Sequence, residues 1–133
     1  MNRLRGKIVK IESTGLMSSV DVKVGEDVFS AFVLETPPTC GYLREGGEVS
    51  LLFKETEVSL AREFTGIISI GNQMEGTVSR IDLGKILGLV ELDYRGTTVG
   101  AITSKSAVTA LDLKKGDKVR WLLKSSELSL MEV

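Results

Sequence analysis

Apolar and polar positions alternate in short runs along this chain, and each run stops at a turn signal. The segment GTVSRIDL (76–83) alternates as a half-buried strand should. LGLVELDY (87–94) and TTVGAIT (97–103) flank Arg95-Gly96, a hairpin-type turn in which glycine supplies a positive φ. KVRWLLK (118–124) and ELSLMEV (127–133) form an expected last strand pair around Ser125-Ser126. Between the third and fourth runs, SKSAVTALDLKKGD (104–117) places Ala107, Val108 and Leu111 at helical spacing, and Lys115-Gly116-Asp117 turns the chain into the next strand.

The same order recurs in the first half. Shifted by 70 positions, residues 2–61 fall on 72–131 without a gap and with 14 identities, among them Gly6/Gly76, Ala31/Ala101, Gly46/Gly116, Lys54/Lys124 and Glu57/Glu127. Gly25-Glu26-Asp27 stands where the second copy has its hairpin turn. A register held over that length marks a tandem duplication. Each copy reads as β-β-β-short helix-β-β, so the expected fold is all-β: two tandem five-stranded OB-like barrels, each with one short helix between strands three and four. The expected domains are 1–63 and 64–133. The join REFTGIISIG (62–71) is apolar, β-branched and free of proline, which predicts an ordered strand over 64–71. A barrel of about 60 residues buries a small core, and fusion or oligomerisation would relieve that.

Composition narrows the function. The chain has 133 residues, 42% hydrophobic and 26% charged, with a net charge of -1. Mixed charge and only one Trp, two Tyr and four Phe argue against nucleic acid, which calls for a basic surface and stacking rings. The cations Lys114, Lys115, Lys118 and Arg120 are read as a solvated face. Cys40 is the single cysteine and there is no histidine, which closes the Ser-His-Asp and Cys-His routes and most zinc sites. Carboxylates such as Glu55 with Glu57, or Glu91 with Asp93, fall at strand spacing on faces expected to be solvated. No enzyme chemistry, metal or cofactor is expected. The N-terminal stretch has charge without an apolar core, and no apolar run nears the roughly 18 residues of a membrane span, so the expectation is a cytoplasmic protein without a membrane partner.

One segment is richer in donors than its position demands. Thr103, Ser104, Lys105 and Ser106 open the predicted helix, and Lys124-Ser125-Ser126 follow at the next turn. A single hydroxyl there caps a helix, worth about 1 kcal/mol. Three hydroxyls and a lysine equally suit a small oxyanion, which the free N–H groups of a helix start attract. Both readings stand on residue chemistry alone. The first copy keeps Thr36 and Lys54 but has Val33 for Thr103 and Glu55 for Ser125, and it carries Pro37-Pro38 where the second has Ala107-Val108. A site built within one copy would therefore lie in the second.

These segments carry a family resemblance. SIGNQMEGTVSRI, AITSKSAVTALDLKKGD and VRWLLKSSELSL, echoed more weakly by RLRGKIVKI and LREGGEVSLLFKETEVSLA, resemble the molybdate/tungstate-binding Mop family of TOBE-type domains in its tandem form. The resemblance implies five-stranded OB-like barrels, a molybdate or tungstate ligand and a homo-oligomer, most often a trimer with oxyanions between barrels of neighbouring subunits. It implies binding roles for Thr103, Ser106, Lys124 and Ser125, and for Ser69 contributed by a neighbouring barrel. The family's S-A-R-N segment is Ser69-Ile70-Gly71-Asn72 here, so Gly71 offers only a backbone N–H where arginine is usual. The leading expectation is non-catalytic storage of the oxyanion. The alternative is a regulatory or protein-interaction module with degenerate sites, which Gly71, Val33 and Glu55 favour.

Overall fold

A computed structural model describes residues 1–133. Ten strands form: β1 (Asn2–Thr14), β2 (Met17–Val24), β3 (Asp27–Val33), β4 (Glu48–Phe53), β5 (Ser59–Ala61), β6 (Asn72–Leu83), β7 (Leu87–Tyr94), β8 (Thr97–Ser104), β9 (Lys118–Leu123) and β10 (Ser129–Glu132). One α-helix, α1 (Lys105–Leu111), lies between β8 and β9. The expected all-β architecture of two five-stranded sheets is present, in the orders β10-β4-β1-β2-β3 and β5-β9-β6-β7-β8.

The sheet orders correct the expected last strand pair. Residues of β10 pair with β4 (Ser129 opposite Leu52), and residues of β5 pair with β9 (Ser59 opposite Leu122). The repeats exchange their fifth strands, in registers related by the 70-residue shift. The compact units are accordingly not the consecutive stretches 1–63 and 64–133. One unit, the first-repeat barrel, comprises residues 3–53 and 124–133; the other, the second-repeat barrel, comprises 1–2 and 54–123. The cause is local. A single 3₁₀ turn separates β4 from β5, and its flanking residues Lys54 and Val58 are both extended, so the chain passes onward instead of folding back.

In the first-repeat barrel, inward positions of the strands bury Leu4, Ile8, Val20, Val22, Phe29, Val49, Leu51 and Phe53, and Leu43 from the β3–β4 connection joins them. In the second, Tyr94 and Trp121 meet edge to face with centroids 5.2 Å apart, among buried Val78, Val90, Leu92, Val99 and Leu123. Both barrels bend at the same place. The register shifts between Ile8 and Lys10 in one and between Val78 and Arg80 in the other, a β-bulge that tightens local twist. Next to each bulge a turn glycine donates to the strand, Gly46 N to Ile8 O and Gly116 N to Val78 O, both at 2.8 Å. The predicted hairpin turn has positive φ at both centres, 50° at Arg95 and 84° at Gly96, as a type I′ turn requires.

Two expected elements differ. The first copy has no α-helix between strands three and four, only the 3₁₀ turn Pro37–Thr39, because Pro37 holds the preceding Thr36 extended (φ -130°, ψ 157°) where its counterpart Ser106 is already helical. The join over 64–71 forms no strand: Gly66 adopts φ 118°, and Ile67 is fully exposed. The join contributes a strand to neither sheet. No helix is long and apolar enough to cross a membrane.

Candidate functional site

Ser104 is the N-cap of α1. Its Oγ accepts from the N–H of Ala107 at 3.1 Å and lies 3.2 Å from Ser106 Oγ. The capping reading therefore accounts for Ser104, and it leaves Thr103, Lys105 and Ser106 for other duties. Lys105 N donates to Ile86 O at 2.8 Å, which ties the helix start to the β6–β7 turn. That bond sends the Lys105 and Ser106 side chains to an exposed depression shared with Lys85, Ile86 and Thr109.

Thr103, half-buried at the end of β8, lines a different space. It faces a cavity of about 470 Å³ bounded by Ile102, Ala107, Ala110 and Leu111 on one side and by Thr56, Val58, Ser59 and Leu60 on the other. The second group reaches this barrel only through the exchanged segment. Thr56 and Ser59 thus line the same cavity as Thr103, a grouping that pairing each copy with itself could not reveal. At the head of the same segment stand Lys54, exposed, and Glu55, half-buried. The Glu55 carboxylate takes a 2.8 Å ion pair from the Met1 ammonium, which holds it below the usual carboxylate range. Lys54 N donates to Glu57 Oε1 at 2.8 Å, fixing the 3₁₀ turn while its side chain stays free of ion pairs.

Lys124 and Ser125 belong to the first-repeat barrel. Their 3₁₀ turn (Ser125–Glu127) packs on β3, the strand that ends at Val33, and so sits with first-copy residues. In that barrel Thr36 is engaged locally, its Oγ1 3.3 Å from Thr39 Oγ1. Close by, Ser18 Oγ donates to Glu35 O at 2.6 Å, burial pushes the Cys40 thiol up, and Tyr42, again through burial first, is raised to about 12. Ser69 and Gly71 are exposed on the join and border neither the Thr103 cavity nor the Ser106 depression. The strand exchange places Thr103–Ser106 in the barrel of Lys54 and Glu55, and Lys124-Ser125 in the barrel of Val33 and Thr36. No three or more His, Cys, Asp or Glu side chains converge on one point.

With this geometry in hand, relatives can be compared. The TOBE domain family matches residues 68–130. The molybdenum transport protein ModE of Herbaspirillum seropedicae is 31% identical over 127 residues, covering 93% of this chain and 47% of ModE. The molybdenum import ATP-binding protein ModC of Brucella abortus is 36% identical over 84 residues, 62% of this chain and 23% of ModC. The chain thus spans about half the length of the first of these relatives and about a quarter of the second. Among solved structures, the cytoplasmic molybdate-binding protein ModG with molybdate bound superposes with a TM-score of 0.89 at 27% identity, covering 99% of this chain and 96% of that one. Residues 68–130 thus carry a TOBE domain, and over its whole length the chain is similar to the molybdate-binding protein ModG.

Proposed function

We propose that this chain binds molybdate or tungstate without catalysis, as a cytoplasmic store or buffer. The observation that carries the reading is the full-length likeness to ModG in its molybdate-bound form. The ligand groups are hydroxyls, backbone N–H groups and lysines: Thr103, Ser104, Lys105 and Ser106, Lys124 and Ser125, with Ser69 and Gly71 from a neighbouring subunit and Thr36 and Lys54 in weaker roles. The proposed assembly is a homo-oligomer, most simply a trimer, with ions between barrels of neighbouring subunits. Support comes from the lysines themselves. Lys54, Lys105 and Lys124 are exposed and make no ion pair, so their charge is available to a dianion.

Selectivity follows from proton count. A fully deprotonated tetrahedral dianion only accepts hydrogen bonds, whereas a protonated phosphate oxygen would set a donor against a donor. Calorimetric titration with molybdate, tungstate, sulfate and phosphate tests the reading, and folded, anion-free protein that ignores all four ends it. Glu55 favours a second reading, a regulatory or protein-interaction module whose oxyanion sites have decayed, because an ionised carboxylate stands beside Lys54. Molybdenum analysis of protein purified from molybdate-fed cells separates the two: metal-free protein selects the second.

A further inference from the structure

Superposing the repeats by 70 positions exposes a charge inversion on one sheet face. In the first-repeat barrel, Arg5, Lys7, Lys23 and Glu48 line a cleft of about 290 Å³ on the outer side of β1 and β2. Their counterparts in the second repeat are Glu75, Thr77, Asp93 and Lys118. Three of the four positions reverse sign, and the fourth loses its charge.

The first-repeat face is not arranged for its own sheet. Lys7 and Lys23 are directly opposed across the ladder, a like-charge pairing that disfavours the sheet. None of Arg5, Lys7, Lys23 or Glu48 makes an ion pair; the ion pairs of the chain lie elsewhere. Val28, opposite Lys23 on β3, adds an apolar side chain that is 49% exposed. The second-repeat face is ordered the opposite way: Thr77 lies between Asp93 on β7 and Lys118 on β9, with Glu75 two residues back on β6. Its one internal pair, Lys118–Glu75 at 3.5 Å, joins side chains 77% and 71% exposed, so water or a partner charge replaces it readily.

We propose that these faces are the two sides of one contact between copies of this chain: the first-repeat face of one copy, around Arg5 and Lys23, docks on the second-repeat face of another, around Glu75 and Asp93. Cations around Arg5 and Lys23 on one face then meet anions around Glu75 and Asp93 on the other. The same charges repel like faces, so the pattern selects heterotypic contact and excludes first-on-first docking. This inference stands apart from the identity of the bound anion.

Charge-swap complementation on the full chain tests it, read by sedimentation equilibrium at low and at high salt. The wild-type chain is expected to self-associate at low salt and to weaken as salt rises. The variant Arg5→Glu, Lys23→Glu makes both faces acidic, and Glu75→Lys, Asp93→Lys makes both basic. Each alone is expected to lose association by about tenfold or more. An equimolar mixture is expected to restore it, which also proves both variants folded. Four results overturn the contact: a wild-type chain that does not associate, variants that associate as it does, variants with wild-type circular dichroism that stay apart when mixed, or binding of an acidic polymer such as heparin in place of self-association. A salt-stable oligomer indifferent to both variants overturns this contact while leaving the proposed trimer in place.

Discussion

The side-chain amide of Asn2 holds both backbone groups of Gly100: Nδ2 donates to Gly100 O at 2.9 Å, and Gly100 N donates to Oδ1 at 2.8 Å. Asn2 is 6% exposed and 98 residues away in sequence, so this one side chain satisfies a strand-edge peptide that would otherwise be buried without partners. Asn2→Ala is expected to lower stability by about 2–3 kcal/mol, and Asn2→Asp at least as much, since a carboxylate then faces a carbonyl. Urea unfolding followed by circular dichroism checks both.

Repeat-equivalent glycines should respond unequally to the same substitution. A Cβ on Gly6 would lie 2.5 Å from Val22 Cγ1 and 2.7 Å from Lys23 O, and the backbone oxygen cannot step aside. At Gly76 the nearest atom is Leu92 Cβ at 3.3 Å. Gly6→Ala is expected to cost about 3 kcal/mol and Gly76→Ala about 1 kcal/mol or less. Equal midpoints in parallel denaturant curves would contradict the packing described.

Cutting the join should not release the two halves. Each barrel takes strands from both repeats, so a protease site placed within residues 65–70 is expected to yield fragments that co-elute under native conditions and separate only in denaturant. Size-exclusion chromatography after cleavage reads the result, and two separate native peaks would argue that each repeat keeps its own fifth strand.

Alkaline titration should register Tyr42. Burial, then the neighbouring Cys40, raises its phenol from 10.0 to about 12 in the folded chain. The unfolded chain therefore loses this proton first. The contribution of Tyr42 to stability is expected to be flat below pH 10 and to fall as pH rises from 10 through 12. Tyr42→Phe should shallow that fall in unfolding curves recorded across the range.

Under the proposed function, Glu55 weakens anion binding near Thr103. Glu55→Ser installs the residue that the second repeat carries at this position, and removing one ionised carboxylate is expected to tighten molybdate binding by about three- to tenfold. Ser106→Ala is expected to weaken it by about tenfold through a lost charge-assisted hydrogen bond. Calorimetry on the two variants gives both signs.

Much of this molecule is legible in one dimension. Strand positions, the Arg95-Gly96 turn and the α1 cap at Ser104 follow from local rules: period-two alternation, positive φ and unpaired N–H groups at a helix start. The duplication follows too, because identical local instructions recur at a fixed offset. The helix expected in the first copy gives way to a 3₁₀ turn at Pro37–Thr39, where proline overrides the repeat pattern. Partner choice is another matter. β5 and β10 carry nearly the same residues, and β4 and β9 offer nearly the same inward pattern, so the sequence determines that a fifth strand pairs with a fourth but not which fourth. That choice rests on the extended residues around one 3₁₀ turn, and it decides which residues share a barrel: Thr103 with Thr56 and Ser59, and Lys124-Ser125 with Val33 and Thr36. The sequence alone determined two barrels of one design; only the tertiary structure decided how the repeats share their strands, because side-chain pattern specifies a pairing surface while chain direction at a short turn selects its partner.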